Sequence, residues 1–146
     1  MENLLIKRVR AGAVIPARST KGSAGYDLAA CIESAITIFP GKRAVIPTGI
    51  SVALPDNTAA IFIYARSSLG VKHGITPANC VGVIDSDYRG EILVGLYNSS
   101  ESAYRIEPGE RIAQMVVQPV YTPILEEVEE LPETQRGDGG FGSTGK

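Results

Sequence analysis

Four stretches of this 146-residue chain hold more reactive side chains than a surface loop requires. The first is Gly82-Val83-Ile84-Asp85-Ser86-Asp87-Tyr88-Arg89-Gly90-Glu91-Ile92, which reads as a β-hairpin: apolar strand, polar turn, apolar strand. Its Asp residues would suit an ordinary turn that satisfies its own backbone. Two carboxylates beside a tyrosine and an arginine also offer a base, an aromatic face and a cation. The second stretch, Ala65-Arg66-Ser67-Ser68-Leu69-Gly70, brings together a cation, two hydroxyls and free N–H groups at the start of a helical turn. That set suits a phosphate, and it equally suits a plain N-cap beside a surface arginine. The third is Gln114, in the apolar run Arg111-Ile112-Ala113-Gln114-Met115-Val116-Val117. A buried amide must find partners there, within the protein or from a ligand or water. The fourth is the end of the chain, Arg136-Gly137-Asp138-Gly139-Gly140-Phe141-Gly142-Ser143-Thr144-Gly145. Backbone N–H groups of such a strip can wrap phosphate oxygens, but it lacks GxxxxGK[ST] and follows no strand–helix unit, so it is not a P-loop.

The elements that position these groups are short strands. Nine prolines and sixteen glycines interrupt the chain too often for long helices. Between them lie runs rich in β-branched and aromatic residues: 36–39, 44–46, 50–54, 60–64, 92–97 and 112–117. Their spacing predicts an all-β antiparallel sandwich or barrel, with one short helical turn opening near Ser67 or Ser68. The last eleven residues, 136–146, contain five glycines and a single large apolar residue, Phe141. They bury too little to offset their ordering entropy, which predicts a mobile arm after a folded domain spanning 1–135.

Composition narrows the function classes. Hydrophobic residues at 44% and charged residues at 21% are the balance of a globular protein, and no apolar run approaches the ~20 residues of a membrane helix. A net charge of −2 argues against a protein that coats nucleic acid. Residues 1–72 carry nine Lys/Arg against four Asp/Glu, while residues 73–146 carry five against twelve. Placed cations rather than bulk attraction must therefore hold any anionic ligand. The run Glu126-Glu127-Val128-Glu129-Glu130 reads as a solvated face. Cys31 and Cys80 fit no zinc spacing and are expected as buried, reduced thiols. With no secretory pattern at the N-terminus, a cytoplasmic location is expected.

Taken in order, five segments closely resemble the five motifs of the trimeric deoxyuridine triphosphatases (dUTPases). They are Gly22-Ser23-Ala24-Gly25-Tyr26-Asp27-Leu28, Ala65 to Gly70, Gly82 to Gly90, Gly109-Glu110-Arg111-Ile112-Ala113-Gln114, and Arg136 to Gly145. The resemblance implies a jelly-roll-like β barrel assembled as a homotrimer, with active sites at subunit junctions and the C-terminal arm closing over them. It implies hydrolysis of dUTP between the α and β phosphates, giving dUMP and pyrophosphate, with Mg²⁺ on the triphosphate. Such an activity limits uracil incorporation into DNA and supplies dUMP for thymidylate synthesis.

Residue by residue, the resemblance makes Asp85 the carboxylate that positions and activates the attacking water, and Gln114 the amide that helps hold it. Tyr88 matches the aromatic beneath the deoxyribose, where it leaves no room for a 2′-hydroxyl. Asn79 and the backbone of Gly82, Val83 and Ile84 match the part that reads uracil. Arg66, Ser67 and Ser68 match the phosphate segment, and Arg111 supports the acidic region of the first motif. Asp27 falls near the Mg²⁺ hydration shell, reaching the metal only through water. In the arm, Arg136 is expected on the γ-phosphate, Phe141 over the uracil, and Gly142, Ser143 and Thr144 along the phosphates. The chain departs from the family pattern at Ser68, where glycine is common, and at Asp138, which adds a negative charge to an arm that must meet a polyanion. Competing readings are a dCTP deaminase of the same fold, possibly bifunctional, and a non-catalytic nucleotide-binding relative. His73 carries no expected role.

Overall fold

The computed structural model describes residues 3–140. Eleven strands alternate with turns, and every ladder between them is antiparallel. The largest sheet has the order β2-β11-β6-β8, built from Tyr26–Ala29, Arg111–Pro119, Ala59–Tyr64 and Gly82–Ile84. A second has the order β4-β9-β7, from Arg43–Pro47, Leu93–Asn98 and Ile75–Pro77. Two strand pairs complete the jelly-roll-like barrel: β1 with β5 (Leu5–Arg8, Ile50–Ala53) and β3 with β10 (Ile36–Ile38, Tyr104–Ile106). Among the described residues no helix is long and apolar enough to cross a membrane.

Period-two alternation turns β9 inward at Val94, Leu96 and Asn98. These side chains meet Leu28, Ile46, Ile50, Ile61, Ile75, Ile106 and Ile112 in a single core, each of the seven fully buried. Burial of that kind stabilises by about 1.5–3 kcal/mol per side chain. Asn98 is the polar exception. Its amide donates to Ile38 O and Ser102 O (2.8 Å each), and its Oδ1 accepts from Ser100 N–H (2.9 Å) and Oγ–H (2.7 Å).

Two expectations change here. The hairpin at 82–92 does not form, because β8 pairs with β6 at the edge of one sheet while β9 pairs with β4 and β7 in the other. Residues 85–92 bridge two sheets. Cys80 is exposed, not buried, at φ +65°, and Cys31 is half-buried; both thiols are free. The ladders end at Pro119, and residues 121–138 are exposed. Tyr121, Ile124, Leu125 and Leu131 stand almost wholly in solvent beside the acidic run.

Candidate active site

A bulge in β11 builds the charged half of the site. Residues 111 and 114 lie three apart and would fall on opposite faces of a regular strand. Against β2, however, Arg111 faces Ala29 and Gln114 faces Asp27, with the register slipping between Arg111 and Ala113. Two residues apart on β2 means one face, so the extra residue turns Arg111 and Gln114 to the same side as Asp27. Arg66, just past β6, reaches in from the neighbouring strand, where Gln114 is also level with Tyr64.

The contacts follow from that placement. Asp27 Oδ1 accepts from Arg66 Nε at 3.0 Å, and Oδ2 accepts from Arg111 Nη1 at 3.0 Å and Ser19 Oγ at 3.2 Å. Arg66 Nη1 also donates to Arg111 O (3.1 Å). One carboxylate against two guanidiniums leaves a net positive charge, and most of the ten N–H donors remain free for a second anion. Gln114 is half-buried rather than buried, and its Nε2 donates to Ala65 O at 3.0 Å, directly before Arg66. Its Oε1 lies against bare backbone: a Cβ on Gly25 would stand 2.6 Å from it. Ser67 occupies the N-cap position of the helical turn Ser68–Lys72, but its side chain makes no capping bond. Buried Leu69 anchors the turn, leaving Ser67 and Ser68 exposed.

The other half is a slot between the two sheets. β8 uses one edge on β6, and β7 with the following Ala78 N–H reaches only Gly95–Asn98 of β9, so Gly82–Ile84 and Leu93–Val94 face each other without pairing. A cavity of about 90 Å³ lies there, lined by Ile63, Asn79, Gly82, Val83, Leu93 and Val94 among others. It adjoins one of about 210 Å³ that shares Val83, Ile84 and Leu93 and adds Asp85, Tyr88 and Glu91. Asp85 and Tyr88 are both exposed at its mouth. The Tyr88 ring lies over Gly90, where a Cβ would fall on the phenol, and its hydroxyl donates to Glu91 O at 3.0 Å.

The two halves do not meet within one chain. Gln114 is level with Tyr64 of β6, whereas Asp85 follows Ile84, which is level with Ile61. Four residues along and two strand spacings across place their Cα atoms about 17 Å apart. Arg136 is also elsewhere, its Nε donating to Gly139 O within its own turn at 2.8 Å. Phe141, Gly142, Ser143 and Thr144 lie outside the described residues. Sequence reasoning missed Ser19, Gly25 and Glu91. Gly25 sat within a recognised motif, but only the register of β2 and β11 shows what its missing side chain makes room for.

Comparison with known proteins names this arrangement. The dUTPase family model matches residues 11–145. A deoxyuridine 5'-triphosphate nucleotidohydrolase from Hydrogenovibrio crunogenus is 52% identical over 132 residues, covering 90% of this chain and 86% of that protein. One from Polynucleobacter asymbioticus is 49% identical over 132 residues, with 90% and 89% covered. Among solved structures, the Staphylococcus bacteriophage 80alpha dUTPase with dUPNHPP superposes with a TM-score of 0.89 at 30% identity, over 100% of both chains. A dUTPase mutant from phage phi11 of S. aureus, whose structure concerns coordination of a structural Mg(II) ion, shares the fold at TM-score 0.80 and 24% identity. With a family match over nearly its whole length and half its residues shared with curated relatives, this chain belongs to the dUTPase family.

Proposed function

We propose that this protein hydrolyses dUTP to dUMP and pyrophosphate, at sites completed where copies of a homotrimer meet. The observation that carries the reading is the division of one set of site residues into two halves on the same chain. A narrow slot with unpaired backbone suits a planar base, and a doubly cationic cluster suits a polyphosphate. Neither half holds the other's chemistry. Another copy must bring its Arg66–Gln114 cluster to the Asp85 slot, and the arm from 136 onward is proposed to close over the junction. The exposed apolar residues at 121, 124, 125 and 131 support such an assembly, since among the described residues they have nothing to pack on.

In this scheme the base lies between β8 and β9, and main-chain donors and acceptors at Gly82–Ile84 read uracil with Asn79 alongside. Cytosine leaves those groups unpaired, which is the costly kind of mismatch. The Tyr88 ring sits beneath the sugar, where a 2′-hydroxyl would lose water against an apolar face. Arg66, Ser67 and Ser68 take the phosphates, and Arg136 the γ-phosphate. Asp85 orients a water for in-line attack and accepts its proton late, as suits a loose phosphoryl-transfer transition state. Gln114 fixes that water from the neighbouring copy.

The donor set suits a metal carried by the substrate rather than one housed by protein ligands. Among the described residues no three His, Cys, Asp or Glu side chains converge. Of the roughly four lone-pair positions of Asp27, Arg66, Arg111 and Ser19 use three, leaving room for one water-mediated contact. Mg²⁺ bound to the triphosphate would neutralise the charge of the departing pyrophosphate.

Pyrophosphate release measured from dUTP, dCTP, dTTP and UTP, with and without Mg²⁺, tests the proposal. Release from dUTP alone, strongly reduced without the metal, is expected. Ammonia from dCTP would make the protein a deaminase, and tight dUTP binding without turnover would make it a nucleotide-binding relative. Sedimentation of the free protein at the monomer mass would remove the trimer.

A further inference from the structure

The loop that carries Tyr88 is held at its far end by an ion pair between Glu91 and Arg10, both outside the five motif segments. Glu91 ends the loop, and its carboxylate accepts from Arg10 Nε at 2.7 and 2.9 Å, one donor shared by both oxygens. Oε1 also accepts from Gly49 N–H at 2.9 Å. Gly49 holds φ +71°, and a Cβ there would lie 2.7 Å from both Ala13 Cβ and Cys31 Sγ, so this donor cannot shift easily. The same Glu91 supplies the carbonyl that receives the Tyr88 hydroxyl. Around it Ser51 Oγ donates to Arg89 O and Thr48 Oγ1 to Ile92 O, both at 2.7 Å. Arg89 Nη1 closes the turn onto Ser86 O and Tyr88 O (2.7 and 3.0 Å).

The Tyr88 ring therefore has two fixed points, the bare backbone of Gly90 beneath it and the Glu91 carbonyl at its tip. We infer that Glu91, clamped by Arg10 and Gly49, is a positioning residue that sets selectivity for deoxyribose over ribose by fixing the height of the Tyr88 ring. The inference rests on the placement of Tyr88 beneath the sugar proposed above. Exclusion of a single oxygen needs the ring held to a fraction of an ångström, and an unanchored loop would yield to a 2′-hydroxyl. The Glu91 carboxylate is taken up by Arg10 and Gly49, and its effect on Tyr88 passes through its own carbonyl. The Glu91 carboxylate is held below the usual range, chiefly by the Arg10 hydrogen bond, as a charged clamp requires.

The test compares kcat/KM for dUTP and UTP on the same preparation, so that loss of folded protein cancels from the ratio. Tyr88→Ala checks the underlying placement and should bring the ratio close to parity. Glu91→Gln and Arg10→Ala should each lower it about tenfold, through a higher rate with UTP, as loss of one charge-assisted hydrogen bond implies. The double variant should be no worse than either single change, and Arg10→Lys should recover part of the loss. Half-exposed Arg10 can be changed without opening the core, so it keeps the test available if Glu91→Gln fails to fold. An unchanged ratio in Tyr88→Ala refutes the placement of Tyr88. A collapsed ratio in Tyr88→Ala with an intact one in Arg10→Ala refutes the clamp alone.

Discussion

Refolding an Asp85→Asn chain together with an Arg66→Ala chain should restore hydrolysis that neither variant shows alone. Asp85→Asn keeps the slot and removes the proposed proton acceptor of the water, for an expected loss of about 10²–10⁴ in turnover. Arg66→Ala removes one proposed phosphate donor, for an expected loss of about 10²–10³. Asp27 keeps Arg111 and Ser19 after that change, so the half-site stays assembled. With Asp85 and Gln114 about 17 Å apart on one chain, the proposed working site takes its slot from one copy and its cations from another. In a random equal mixture, half of the slots and half of the cation clusters are intact, so about a quarter of head-to-tail junctions pair two sound halves. Pyrophosphate release from dUTP is the assay, comparing variants refolded together with variants refolded separately and then combined. Activity near a quarter of the unaltered protein is expected only after joint refolding. If joint refolding yields no more than the two variants give separately, the site is not shared between copies.

Gly25→Ala should push Gln114 from its place, since the new Cβ meets Oε1 at 2.6 Å and Met115 O at 3.2 Å; turnover should fall at least tenfold with a smaller change in dUTP binding, read by steady-state kinetics beside calorimetry. Asn98→Ala removes four hydrogen bonds, including the one to buried Ile38 O, and should lower unfolding stability by about 3 kcal/mol in a urea titration. Glu91 is depressed from the ordinary value of 4.5, mainly by Arg10, so its contribution is present above that pH and is lost as pH falls through its folded-state value. Arg10→Ala should then remove acid-sensitive stability, seen by circular dichroism as a flatter limb on acidification below pH 4.5. At the alkaline end, burial first and the Glu110 contact second push the Tyr104 phenol up to about 12 from 10.0. Stability tied to it should be intact below pH 10 and fall as pH rises towards 12, a decline that Tyr104→Phe abolishes.

Much of the fold was legible because turn residues and β-branched runs are local signals. The strands at 36–38, 43–47, 50–53, 59–64, 93–98 and 111–119 fall where alternation and proline or glycine punctuation place them. The 82–92 segment misled for a physical reason. Apolar–polar–apolar patterning fixes that two strands exist but not which neighbours they pair with, and here each is committed to a different sheet. The bulge in β11 was equally invisible, since nothing in Arg111-Ile112-Ala113-Gln114 announces that Ile112 and Ala113 both turn inward. Ser67 has the residue type of a cap and sits where a cap sits, yet its hydroxyl stays uncommitted. Motif order located Asp27, Arg66, Asp85, Tyr88 and Gln114 as candidates. Their division into two distant groups needed the strand register.

The open flank of β8 has a consequence for the protein when nucleotide is scarce. Gly82-Val83-Ile84 is an uncharged strand with one row of backbone groups unmatched by β9, and it carries no lysine or proline of the kind that usually blunts such an edge. A bound pyrimidine would occupy those groups as another strand might. On the proposed placement of the base, ligand would double as a protective cover, and depleted protein would expose a template for adventitious β-pairing and aggregation.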